Sequence, residues 1–210
     1  MFVRRLVAYA IDWYLISFAM NLVLVIAAYQ LLGVVFAGMV PLTAFDGGLR
    51  LALFCVLAVL DALYFCVLPR YGLKGQTLGK RLLRLRVERV SGGDATLACY
   101  LRRELLGIVV IEGCFSPLSN YLRNVLLLWV PRDVVQGIVW AGIVIGAVSV
   151  GLMVLTAQRR MIHDFVGGTR VVLVERVQGG EGDGHRRDGA LEQLELDRDG
   201  HPARDQASDR

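Results

Sequence analysis

Long apolar runs, separated by short charged breaks, occupy most of this chain, and several are long enough to cross a bilayer. The first extends from about Leu6 to Leu32. A loop carrying Pro41 and Asp46-Gly47-Gly48 leads to the second, about Leu49 to Leu68, which Pro69 is expected to stop. A third run begins near Leu105 and contains Pro117. It reads as a kinked span continuing to about Val130, the alternative being a break at Ser116-Pro117 followed by an interfacial segment. The fourth covers about Val134 to Thr156, with Gly137, Gly142, Gly146 and Gly151 available for close helix packing. The pattern predicts an all-α membrane protein built as a four-helix transmembrane bundle.

Residues 69–104 break this pattern, with nine Lys/Arg against three acids. Within them Thr77-Leu-Gly-Lys-Arg-Leu-Leu-Arg places Leu78 and Leu82 on one helical face and Lys80, Arg81 and Arg84 elsewhere. That predicts a short basic amphipathic helix lying on a membrane surface. Arg84 to Val90 alternates with period two and runs into Ser91-Gly-Gly-Asp, a strand followed by a turn. After Arg159-Arg160 a short helical end at His163-Asp164 is capped by Gly167-Gly168, and Thr169 to Glu175 is again strand-like. The two strand segments leave helices at the same membrane face and are expected to pair as a small β-patch. The chain therefore divides into a membrane domain, residues 1–177, and a tail, residues 178–210, whose Gly, Pro and charge predict disorder.

Composition changes this picture little. A hydrophobic share of 55% fits a membrane class. Charge adds an orientation. Residues 1–174 hold 17 basic and 9 acidic residues, a net of +8, whereas residues 175–210 hold 6 and 10, a net of −4. The basic excess thus belongs to the membrane part, where it points to anionic lipid and away from nucleic acid. Arg4, Arg5, the nine-cation loop and Arg159-Arg160 fall on one side, against Arg50 and Arg132 on the other. The positive-inside rule puts both termini and the loop in the cytoplasm. Cys55, Cys66, Cys99 and Cys114 form no paired motif and read as small packing residues. The basic start is followed by an apolar stretch without a small-residue cleavage site, so it reads as an uncleaved first helix.

The acids carry the chemistry. Asp12 stands six residues into the first span, roughly 9 Å deep, and Asp61 seven residues from the cytoplasmic end of the second, roughly 10 Å deep. Glu112 lies roughly 12 Å beyond Glu104 in the third. A carboxylate in hydrocarbon needs a partner, a water path or a transported ion. Carboxyls at similar depth that approach one another in low dielectric cannot all ionise, the arrangement a proton or small-cation path would need. The structural alternative pairs Asp12 with Arg5, with Tyr9 or with an arginine of the third span. Asp164 is expected to orient basic side chains at the cytoplasmic surface. His163 has no second His or Cys nearby, so no metal site is expected. The sequence holds no GxGD, HExxH, GxSxG or P-loop, so neither an enzyme nor a cofactor is expected.

Three blocks resemble the RDD family of bacterial multi-span membrane proteins: Arg4 to Asp12, Gly75 to Val87, and Gln158 to Val172. They stand in the family's order and span about residues 1–174. The family is named for one arginine and two aspartates, and the resemblance assigns these to Arg5, Asp12 and Asp164. Gln76, Thr77, Gly79, Lys80 and Arg81 form its most specific block, read here as the membrane-surface motif. Gly168 departs from the alanine-glycine pair usual in the closing motif, and Asp61 belongs to no family block. The resemblance implies a bacterial cytoplasmic-membrane protein, with transport, including cation/proton exchange, as a suggested activity. The leading expectation is movement of a proton or small cation through Asp12, Asp61 and Glu112, with Arg5 modulating. Four spans are few for a solitary transporter, so a homo-oligomer is expected. The alternative is a non-transporting scaffold or assembly factor whose basic loop grips anionic lipid and whose tail recruits a protein.

Overall fold

The computed structural model of the chain describes residues 2–113, 116–155 and 160–174. The order of elements begins with α1 (Phe2–Leu32) and continues through a 3-10 turn at Leu42–Ala44 to α2 (Gly47–Ala62), which runs on as a π-helix over Leu63–Gly72. Then come α3 (Leu78–Leu82), β1 (Leu85–Arg89) and α4 (Leu97–Leu101), the last extended by a second π-helix over Arg102–Glu112. The series closes with α5 (Pro117–Leu126), α6 (Arg132–Leu155), α7 (Ile162–Gly167) and β2 (Thr169–Leu173). Three of the helices, Phe2–Leu32, Gly47–Gly72 and Arg132–Leu155, are long and apolar enough to cross a membrane. A fourth crossing is made if Leu97–Glu112 and Pro117–Leu126, bent by 59° at their junction, count as one broken span.

Spacing explains the packing. On α1 the residues Ala8, Asp12, Ile16, Met20, Leu24 and Ala28 recur every fourth position and are all buried. On α2 Leu53, Leu57 and Asp61 repeat the same interval. Side chains four apart lie on one helix face, so each acid sits within an apolar stripe that faces inward. The upper parts of these stripes meet Leu118, Tyr121 and Val125 of α5 and the loop residues Val40, Leu42 and Phe45 in one core. A second core gathers Ala8, Cys66, Leu85, Val87, Cys99, Tyr100 and Val171 beneath the β-patch. The outward faces stay apolar, with Phe18, Ile26, Val59, Trp140, Val144 and Val154 exposed, as a lipid-facing surface requires.

β1 and β2 form the expected patch, antiparallel in the register Leu85↔Leu173 to Arg89↔Thr169. Inward Leu85, Val87 and Val171 alternate with more exposed Arg86, Glu88 and Arg170.

Four details depart from the sequence reading. Pro69 does not stop the second span, which continues to Gly72. Wide π turns carry the ring, and the bonds from Leu73 N–H to Leu68 O (2.9 Å) and Gly75 N–H to Pro69 O (2.7 Å) close the end. The third span begins earlier, at Thr96, whose hydroxyl accepts the Cys99 N–H as a helix cap. It is broken rather than kinked, ending its first part on Gly113 at φ +52°. The basic helix α3 turns its leucines outward and its polar side inward: Leu78 and Leu82 are exposed, Thr77 and Gly79 buried. Of the α6 glycines, Gly142 and Gly146 are buried, whereas a side chain at Gly137 or Gly151 would meet nothing within 4 Å. The predicted tail lies outside the described residues.

Candidate functional site

Asp12 is the anchor of α3. Its Oδ1 accepts the Gly79 N–H at 2.8 Å and the Tyr64 hydroxyl at 2.7 Å, and its Oδ2 accepts the Thr77 hydroxyl at 2.5 Å. Lys80 Nζ stands 3.9 Å from Oδ2. A carboxylate held by three donors and a cation, 1% exposed, is a fully satisfied buried group. The Gly75–Val87 block follows from this geometry. A Cβ on Gly79 would lie 2.4 Å from the Ala8 carbonyl oxygen and 3.0 Å from the Asp12 carboxyl, so α3 can seat on α1 only through a glycine. Gln76 donates from Nε2 to the Leu85 carbonyl at 2.8 Å and ties the block to β1. Arg81 faces outward. The sequence reading grouped these residues as a surface motif; the structure makes Thr77, Gly79 and Lys80 the seat of Asp12 and leaves Gln76 on β1.

Asp164 is the second anchor. Its Oδ1 lies 3.2 Å from Arg103 Nε and its Oδ2 3.9 Å from Arg5 Nη1, and Oδ2 also accepts the Met161 N–H at 3.3 Å. Arg5 Nη2 donates to the Val171 carbonyl at 2.9 Å, joining α1 to β2. Burial alone would raise the Asp164 pKa, but Arg103 and Arg5, with the bond from the Met161 N–H, outweigh it and hold the carboxyl below its ordinary value. Asp164 thus binds basic side chains as expected, but 1% exposed and inside the fold rather than at its surface.

Glu112 closes the set. Its Oε1 accepts the Ser149 hydroxyl at 2.6 Å and the His163 N–H at 3.2 Å, and both its oxygens lie 3.0 Å from His163 Nδ1. On the other side of the ring, Arg103 Nη2 stands 3.2 Å from Nε2. Arginine can only donate, so Nε2 accepts and the ring proton sits on Nδ1, directed at Glu112. α7 reaches this position because position 107 is glycine: a Cβ there would lie 2.6 Å from the His163 Cβ.

Asp61 is the exception. It is 0% exposed, yet neither carboxyl oxygen has a hydrogen-bond partner. Glu104, 4% exposed on the second π-helix, is near enough to act on it electrostatically. A cavity of about 190 Å³ lies beside these groups, lined by Lys80, Arg103, Glu104, Glu112, His163 and Asp164 on its polar side. Leu6, Trp13, Val150 and Met153 line its apolar side. That is room for on the order of ten waters. Among the described residues no cluster of His, Cys, Asp and Glu is arranged to hold a metal ion.

The RDD family profile matches residues 1–168. This chain belongs to the RDD family. No curated protein and no solved structure is similar enough to it to add a relative. In this RDD protein Arg5, Asp12 and Asp164 divide their work. Asp12 seats the Gly75–Val87 block on α1, while Arg5 and Asp164 join α1 to α7 and β2. The residues missed at the sequence level are Arg103, Glu104, His163, Tyr64 and Ser149. Arg103 and Glu104 were counted as loop charges, but the helix start at Thr96, a Thr cap before an apolar run, places them on a helix facing inward.

Proposed function

We propose that this RDD protein moves protons, in exchange for a small cation, across the bacterial cytoplasmic membrane, and that Asp61 is the group that takes up and releases the proton. One observation carries the reading: Asp61 is a fully buried carboxyl with no donor on either oxygen, within electrostatic reach of a second buried acid, Glu104. Such a group is costly to keep ionised and is useful where a proton must bind and leave. Asp12, by contrast, accepts three hydrogen bonds and suits structure better than turnover. Glu104 and Glu112 both line the cavity, which gives the proposed route room for water. The cations of residues 69–104 support a cytoplasmic loop and cytoplasmic termini in contact with anionic lipid. The small number of spans supports a homo-oligomer, and the role proposed is non-enzymatic. The satisfied bonding of Asp12 also favours a second reading, a non-transporting membrane scaffold, which predicts no flux at all.

The test is proton movement in proteoliposomes on addition of Na⁺, K⁺ or Li⁺. Wild type is expected to respond to at least one cation, with Asp61→Asn silent and still folded. Flux that survives Asp61→Asn removes the assignment, and wild type without flux favours the scaffold.

A further inference from the structure

We infer that His163 is a proton-binding site, at which uptake of one proton exchanges Arg103 for His163 on the carboxylate of Asp164. The site stands whether or not protons cross the membrane. With Arg103 Nη2 at 3.2 Å from Nε2 and Glu112 at 3.0 Å from Nδ1, the contacts around the ring fit its neutral form protonated at Nδ1. A proton arriving at Nε2 uses the lone pair there, so the bond from Arg103 is lost and two cations meet at contact distance. Arginine does not give up its own proton, so it is the guanidinium that must move.

The geometry supplies both a new partner for the ring and a destination for the arginine. Asp164 Oδ1 lies 3.7 Å from Nε2, close enough for the new N–H to reach it with a small tilt of the ring. The same oxygen faces Arg103 Nε at 3.2 Å, so a protonated ring brings a second cation onto one carboxylate oxygen. Glu104, the next residue to Arg103, already feels the Arg103 charge and lines the cavity into which the guanidinium would swing. Arg5 remains on the other oxygen of Asp164. From α6 the group presented to this corner is the uncharged Ser149 hydroxyl, which holds Glu112 and accepts the Ile162 N–H at 3.0 Å. Lys80 of α3 lines the same cavity and is a further cation acting on Arg103, Glu104 and Asp164. One proton enters, one hydrogen bond to Nε2 is lost, one to Asp164 forms, and no covalent bond other than N–H changes. The cavity gives the proton access, since His163, Glu112 and Arg103 all line it.

The consequence is mechanical. Arg103 and Glu112 stand on the second π-helix, and His163 and Asp164 on α7, so the exchange resets how α7 grips the first part of the broken span. A buried histidine between a carboxylate and a guanidinium acts here as a switch with two bonding patterns.

The experiment needs no flux. Replacing the other two histidines by His185→Gln and His201→Gln leaves His163 as the single imidazole of the full chain. With ¹⁵N-labelled histidine and arginine in lipid nanodiscs, nitrogen shifts are followed from about pH 9 to about pH 5, the range over which imidazoles ordinarily titrate. The expected result is an Nδ1–H neutral ring at the alkaline end that becomes doubly protonated on acidification. The Arg103 guanidinium signal, assigned by its loss in Arg103→Lys, should move in the same step. An Nε2–H neutral ring, a ring that never changes protonation, or protonation that leaves the Arg103 signal unmoved would each overturn the inference.

Discussion

Asp12 and Asp61 make a controlled comparison inside one molecule. Both are aspartates in apolar stripes of membrane-spanning helices, and both are buried to within 1%. Asp12 is met by a tyrosine, a threonine, a backbone amide and a lysine, whereas neither oxygen of Asp61 has a hydrogen-bond partner. Burial alone therefore says nothing about role. The difference lies in what the neighbouring segment brings: α3 folds back onto α1 and aims its donors at Asp12, while Asp61 receives no donor and feels the charge of another buried acid, Glu104. A satisfied acid holds a structure together; an unsatisfied one is available for exchange.

The comparison breaks most visibly at Asp12. Asp12→Ala strands three donors and Lys80, and by analogy with buried pairs cut on one side it should cost about 3–5 kcal/mol. For a chain of this size that is a fall of about 10 °C in the detergent-solubilised melting temperature. A loss of under about 1 kcal/mol would show that the donors are not holding α3 in place.

Gly79→Val attacks the same seat from the other side. Its Cβ would meet a backbone oxygen at 2.4 Å, which no rotamer change relieves, so about 3 kcal/mol should be lost. Gly137→Val on α6, where a side chain meets nothing within 4 Å, should leave the melting temperature nearly unchanged. Equal effects from the two would contradict the close approach of α3 to α1.

A smaller effect sharpens the electrostatics of the seat. Burial, aided by Arg103, pushes the Lys80 pKa down from 10.5 to about 8, against the pull of Asp12, Glu104 and Asp164. The unfolded chain then holds this proton to higher pH than the folded one. Stability should rise as pH goes from about 8 to 10.5, with Lys80→Met flattening that slope when unfolding is followed by intrinsic fluorescence. The smallest effect is predicted at the other aspartate. Asp61→Asn removes no hydrogen bond, so its melting temperature should match wild type within about 2 °C.

Much of the frame was legible in the sequence because it rests on long-range composition. The apolar runs, the cation-rich loop and the strand alternation at Arg84–Val90 and Thr169–Glu175 survive in the structure with boundaries shifted by a few residues. The site was only half legible. Asp12, Asp61 and Glu112 could be singled out because acids are conspicuous in apolar stripes, yet nothing local says that Thr77, Gly79 and Lys80 fold back onto Asp12. That contact spans 65 to 68 positions and needs a glycine whose role appears only when two helices touch. Periodicity separated the leucine face of α3 from its polar face, but five residues are too few to show that the polar side seats on another helix. Arg103 and Glu104 were hidden by counting charges over a loop that is in fact the start of a helix.

The central claim is that Asp61 carries a proton and Asp12 does not. Infrared difference spectra of the reconstituted protein, recorded between acid and alkaline buffer, report the carbonyl stretch that only a protonated carboxyl shows. The account predicts a protonated-carboxyl band that is lost in Asp61→Asn and kept in Asp12→Asn. A band kept in Asp61→Asn and lost in Asp12→Asn would contradict it.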